Sequence, residues 1–231
     1  MINRQFLSVC IAIVSSLFLT ACGGSGGSDV SIPTPTKPVV IMAFGDSLTA
    51  GYGNSTSGTY FQFVTPGNTW VQLLANKIKA DGVDSKVSVV VLNASIGGEF
   101  TNGASRRLPG LLAKYKPTHV LLGHGTNDAN SSYDLGGISS RMAGMASTVN
   151  ASGAKAFILG YGFQRGGEAH SVLYAQALKN AASNGGATYI DITADTLFKK
   201  QFYNPDLIHL NDNAQALMLN RVVEKLYPAL N

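Results

Sequence analysis

Five short apolar runs punctuate this chain: Val39–Phe44, Val87–Leu92, Val120–Leu122, Ala156–Leu159 and Thr188–Ile192. No other feature narrows the fold as much. Each run is too short for a buried helix and the right length for a buried strand. Between the runs, apolar residues return at helical spacing: Trp70, Leu73, Leu74 and Ile78, with Asn68 or Thr69 as cap; then Leu108, Leu111, Leu112 and Tyr115, with Pro109 in the first turn. Ile138, Met142, Met145 and Val149 follow, then Tyr174, Ala177, Leu178 and Ala181, and finally Leu219, Val222, Val223 and Leu226. Strands that alternate with helices at this spacing form a parallel sheet covered on both faces. Right-handed crossovers make the expected fold a three-layer α/β/α sandwich on a five-stranded, mainly parallel sheet. The methionines read as core filler.

In such sheets ligands bind beyond the carboxyl ends of the strands. The first run stops at Gly45-Asp46-Ser47, the second at Asn93-Ala94-Ser95-Ile96-Gly97-Gly98, and the third at Gly123-His124-Gly125-Thr126-Asn127-Asp128. Asp206 and His209 lie beyond the fifth run. One cleft can therefore collect Ser47, Gly98, Asn127, Asp206 and His209. Each has a plainer account when taken singly. Ser47 and Asn127 can cap helices, Asp206 can shape a turn after Pro205, and His209 can sit on the surface. The chemistry joins them. A serine attacks only when a base takes its proton, and an imidazole suits that task. A carboxylate three residues before the histidine can hold the other ring nitrogen. Donors aimed at the developing oxyanion complete such a site.

In family order, these residues resemble the GDSL, or SGNH, hydrolases. Gly45-Asp46-Ser47-Leu48 matches the first block and Gly98 the second-block glycine, with Gly97 adjacent. Gly125-Thr126-Asn127-Asp128 matches G-x-N-D, and Asp206-Leu207-Ile208-His209 matches D-x-x-H. The resemblance implies a flavodoxin-like fold and a catalytic set of Ser47, His209 and Asp206. Its oxyanion hole would use the N–H of Ser47, the N–H of Gly98 and the side-chain amide of Asn127, without metal or organic cofactor. It implies an esterase of aryl or alkyl esters, lysophospholipids or thioesters, since GDSLTAGYG looks most like the arylesterase and lysophospholipase/thioesterase branch. A carbohydrate or peptidoglycan O-acetylesterase is the enzymatic alternative, and a glycan- or lipid-binding surface protein the non-enzymatic one. Asp46 and Asp128 are expected to serve structure through turn hydrogen bonds, and so is His124. His119, His124 and His170 lack a carboxylate at useful spacing. Arg106 and Arg107 read as solvated, with a place at the flank of the cleft as the alternative. The aromatics Tyr52, Tyr60, Phe61 and Phe63, in the presumed loop Gly51–Asn68, suit either a cleft or a core.

The amino terminus reads as a targeting segment. Arg4 precedes an apolar core, Phe6–Phe18, too short for a comfortable membrane span. Leu19-Thr20-Ala21-Cys22 resembles the lipobox of bacterial lipoproteins, which implies cleavage after residue 21 and lipid on Cys22. An ordinary signal peptide with an incidental cysteine is the alternative. With Gly23 next, a Gram-negative cell would send such a protein to its outer membrane, facing the periplasm or the surface. Residues 22–37, rich in Gly, Ser and Pro, form a tether, and 38–231 the hydrolase domain. Gly23-Gly24-Ser25-Gly26-Gly27 fits G-x-S-x-G by composition only, because no strand precedes it. Cys10 leaves with the leader, so no internal disulfide is possible in the mature chain. The formal charge of +4 falls by one, to +3, with the loss of Arg4, and no basic block accompanies it. That balance argues against nucleic acid as a partner and leaves an ester substrate and, through the lipid, the membrane.

Overall fold

A computed structural model describes residues 34–54, 60–162, 167–193 and 199–231. The leader, most of the tether and the G-x-S-x-G look-alike lie outside the described residues, as do residues 163–166 of the loop before Glu168.

The strands of the main sheet are β1 (Val39–Gly45), β4 (Val89–Asn93), β5 (His119–Gly123), β6 (Lys155–Gly160) and β7 (Thr188–Asp191). They run parallel in the order β4-β1-β5-β6-β7, the flavodoxin-like arrangement. The two central strands β1 and β5 are buried almost throughout. Covered on both faces, they carry unbroken apolar runs rather than alternating ones. Helices α3 (Thr101–Tyr115), α5 (Leu135–Ala151) and α6 (Glu168–Gly185) pack together, while α2 (Trp70–Ala80) packs with α7 (Asp212–Leu226). The expected sandwich is therefore the observed fold. Its switch point is at β1, where the chain first crosses to β4 on one side and then returns to β5 on the other. The crevice opens there.

Three elements differ from the sequence reading. The segment 51–68 is not all loop. It contains an antiparallel pair, β2 (Tyr52–Asn54) and β3 (Tyr60–Gln62), closed by the Phe63 N–H on the Gly51 carbonyl at 3.1 Å. The side chains of Tyr60 and Phe61 lie outside the described residues. Helix α3 begins seven residues before Leu108, so Pro109 is interior rather than in the first turn. Its ring faces solvent, and the helix start is anchored from outside: the Thr101 N–H and hydroxyl donate to the Asp128 carboxylate at 2.9 and 2.5 Å. In α7 the inward stripe is Ala214, Gln215, Met218, Val222 and Leu226, leaving Leu219 and Val223 half-buried. Buried Gln215 is held because its side-chain oxygen accepts the Trp70 N–H at 2.9 Å, which locks α7 to the start of α2. Thr69 caps that start by accepting the Gln72 N–H.

Candidate active site

The site begins where β1 stops. Gly45 and Gly123 pair across β1 and β5. A Cβ on Gly45 would collide with the Thr49 hydroxyl and come within 2.9 Å of the Gly123 carbonyl oxygen. Glycine therefore lets the next turn fold back over the strand ends. That turn opens the one-turn helix α1 (Ser47–Ala50). Its cap is Asp46, whose carboxylate oxygen accepts the Leu48 N–H at 3.0 Å, so Ser47 is not the cap. As first residue of α1, Ser47 has an N–H that no helical carbonyl reaches, and among the described residues no acceptor takes it.

The histidine comes from the opposite wall. A bridge between Tyr203 and Leu210 closes a loop before α7, and the Asn204 N–H donates to the His209 carbonyl at 2.7 Å. Within the loop, Asp206 Oδ1 accepts the N–H groups of Ile208 and His209 at 2.9 and 3.0 Å. The turn leaves Leu207 at φ +60°. The same carboxylate takes the His209 Nδ1–H at 2.6 Å through Oδ2. Its geometry thus uses both oxygens, one for the turn and one for the ring. With that tautomer, His209 Nε2 accepts the Ser47 hydroxyl at 2.8 Å. The Phe63 ring lies flat on the imidazole, centroids 3.3 Å apart and planes 7° from parallel. Burial pushes His209 below its usual 6.5, and Asp206 only partly offsets this. Burial also raises Asp206, but the His209 N–H, the His209 ring and the Ile208 N–H outweigh it, so the carboxyl titrates below its ordinary range. At neutral pH the pair is a neutral imidazole beside a carboxylate, able to take a proton from Ser47.

The second and third turns close on the first. The Ala94 N–H donates to the Ala43 carbonyl and the Ile96 N–H to the Gly45 carbonyl, at 2.8 and 3.0 Å. This zips the segment after β4, which leads into Gly98, along β1 as far as Gly45. Gly98 is exposed and has φ +80°, with nothing within 4 Å of where a Cβ would stand. Its glycine is required by conformation, and the space beside it is open. Among the described residues no acceptor takes the Gly98 N–H. Asn127, in the first turn of α4 (Thr126–Ser131), does not cap that helix. Its amide spans the crevice, with Nδ2 3.1 Å from the Glu99 carbonyl oxygen and 3.5 Å from Asp46 Oδ2. All five expected residues thus lie at one edge of the sheet.

The GDSL-like lipase/acylhydrolase family matches residues 43–217, which span that whole edge. This chain belongs to the family. It is 34% identical over 120 residues to esterase TesA of Pseudomonas aeruginosa, in a match covering 52% of this chain and 53% of that one. The chain thus spans about half the length of that relative. It is 28% identical over 197 residues to thioesterase 1/protease 1/lysophospholipase L1 of Escherichia coli, covering 83% of this chain and 85% of that one. The crystal structure of the psychrotrophic esterase EstA from Pseudoalteromonas sp., inhibited by monoethylphosphonate, superimposes with a TM-score of 0.66 at 26% identity, over 83% of this chain and 98% of that one.

Several neighbours of the family motifs were not legible beforehand. Arg107 is not simply a solvated side chain: it is partly buried beside the crevice. Its Nε donates to Glu99 Oε1 at 2.9 Å, its Nη1 to the Ala94 carbonyl at 2.8 Å, and its guanidinium lies 4.5 Å over the Phe44 ring. His124 does have a carboxylate partner, Glu99, at 2.9 Å, although the two are 25 residues apart in the chain. Local spacing could not reveal it. His119 is structural, bonded to the Thr118 hydroxyl and the Ala229 carbonyl, while His170 packs edge-on against Tyr133. Asp128 ties α3 to α5 through Thr101 and Arg141. Among the described residues no cluster of three or more His, Cys, Asp or Glu could hold a metal ion.

Proposed function

We propose that this chain hydrolyses carboxylic esters through an acyl-enzyme on Ser47. The observation that carries the reading is the continuous path Ser47 Oγ, His209 Nε2, His209 Nδ1, Asp206 Oδ2, with steps of 2.8 and 2.6 Å across its two hydrogen bonds. His209 takes the Ser47 proton as Oγ attacks the ester carbonyl carbon. The tetrahedral oxyanion accepts from the N–H groups of Ser47 and Gly98 and from the Asn127 amide. Such donors act most where charge develops, and losing one typically costs roughly 10²–10³-fold in kcat. The protonated ring then passes its proton to the leaving alkoxide, which departs as alcohol. Water attacks the acyl-enzyme with His209 again as base, and Ser47 leaves with its proton restored. Asp206 holds the tautomer and stabilises the imidazolium without becoming protonated.

The names of the relatives, an arylesterase of Vibrio mimicus among them, point to aryl-ester, lysophospholipid and thioester substrates, and a p-nitrophenyl ester series of rising acyl length, run beside a lysophospholipid, an acyl thioester, acetylated xylan and peptidoglycan, chooses among them. Ser47→Ala should remain folded, lose ester hydrolysis and fail to react with a fluorophosphonate probe. Near-normal turnover would refute the assignment of the nucleophile. We further propose that Cys22 is lipidated and anchors the domain to the outer membrane. The lipobox-like sequence supports this, and Cys22→Ser should move active enzyme out of the membrane fraction. A mutant that stays with the membrane would refute the anchor.

A further inference from the structure

Glu99 directly follows Gly98, and its side chain turns away from the crevice into a two-sided clamp. Arg107 closes one side through Nε and Nη2, one bond to each carboxylate oxygen. His124, at the end of β5, closes the other through Nε2–H to Oε2 at 2.9 Å. The carboxylate is only 10% exposed. Arg107 also binds the carbonyl of Ala94 and covers Phe44 of β1. The clamp is therefore tied to the ends of β4, β1 and β5 together. Charges within it are matched. Burial raises Glu99, but His124 and Arg107 overcome it and hold the carboxyl at about 2. His124 is fully buried and among the described residues its Nδ1 has no partner, which suits a neutral ring with its proton on Nε2. Burial keeps that ring from charging.

The other end of Glu99 faces the crevice. Its backbone carbonyl accepts one hydrogen of the Asn127 amide at 3.1 Å. An amide NH₂ is planar, so fixing one N–H sets the direction of the other. The second reaches Asp46 Oδ2, at 3.5 Å a long contact. That hydrogen is held only by this long contact, which a developing oxyanion outcompetes.

We propose that Glu99 is a positioning residue: gripped by Arg107 and His124, it holds its own carbonyl and the adjoining Gly98 so that the Gly98 N–H and the second, weakly held Asn127 N–H converge on one oxyanion. This rests on the esterase reading above. A donor pair held this way needs no reorganisation as charge develops, whereas a small misplacement in such a site costs up to about 10²-fold. Glu99 acts through Asn127 and Gly98 and does not itself meet the substrate.

The test is Glu99→Gln in the whole chain, which keeps the side-chain shape and removes the charge that Arg107 and His124 grip. On p-nitrophenyl butyrate, kcat should fall roughly 10–100-fold with KM within about twofold, because the interaction matters only in the transition state. A trifluoromethyl ketone, which forms a tetrahedral oxyanion adduct, should bind more weakly by the same factor. In an Asn127→Ala background the same change should cost clearly less, because the part that acts through Asn127 is already lost and only the part through Gly98 remains. A folded Glu99→Gln with normal kcat overturns the proposal, and so does an equal loss in both backgrounds. If Glu99→Gln does not fold, Arg107→Met, at a position 25% exposed, is measured by the same criteria. Ser47→Ala is run alongside. If it stays active, the esterase reading has failed, whereas an inactive Ser47→Ala beside a normal Glu99→Gln removes only the role of Glu99.

Discussion

Asp46 stands inside the family's first motif yet is completely buried, with 0% exposure. Burial raises its pKa from an ordinary 3.8 to about 7, opposed by the Leu48 N–H and reinforced by the charges of Asp128 and Glu99. The folded protein therefore keeps a proton on Asp46 that the unfolded chain releases near 3.8. Between about pH 4 and pH 7 the native state binds more protons, so stability falls as pH rises through that window and levels off above it. About three pH units at about 1.36 kcal/mol each come to about 4 kcal/mol. Asp46→Asn removes this term. The asparagine oxygen can still accept the Leu48 N–H and cap α1, but its NH₂ would face the Asn127 amide, where Oδ2 stands 3.5 Å away in the native protein. That adds a cost independent of pH. The measurement is therefore the difference in melting temperature between Asp46→Asn and wild type, followed from pH 4 to pH 8. It should move in favour of the variant by roughly 8–16 °C over that range, at about 2–4 °C per kcal/mol for a domain of this size. Other titrating groups cancel in the difference. A flat difference would mean that Asp46 ionises alike in the folded and unfolded chain, and the burial argument would be wrong.

Asp206→Asn should cut kcat by up to about 10⁴-fold through the wrong imidazole tautomer. It should also shift the acid limb of kcat/KM to lower pH, since Asp206 is what raises His209 against the lowering effect of burial; a limb displaced upward in the pH profile of the residual activity would contradict this. Phe63→Ala uncovers the imidazole face on which that ring is stacked. Water then reaches His209, its pKa rises, and the acid limb moves to higher pH; an unmoved limb in the same profile would mean that Phe63 contributes nothing to the desolvation.

The alternation of apolar runs and helical stripes was enough to predict the layers and the parallel sheet, because strand length and side-chain period are local properties. The same holds for the turn-borne residues. Gly45-Asp46-Ser47 stops a strand, and Asp206 binds the backbone of its own turn before it binds His209, a contact over three residues. What needed tertiary structure was every pairing between distant segments. Helix α3 starts at Thr101 because Asp128, 27 residues on, accepts its N–H. Arg107 is drawn off the surface by Glu99 and Ala94. His124 meets Glu99 only because β4 and β5 flank β1 in the sheet. Asn127 reads locally as a helix-start residue, and only the close approach of the three turns hands its amide to the Glu99 carbonyl. A chain encodes its turns within a few residues, whereas the partner of a buried charge is chosen by whichever strand end folding brings beside it.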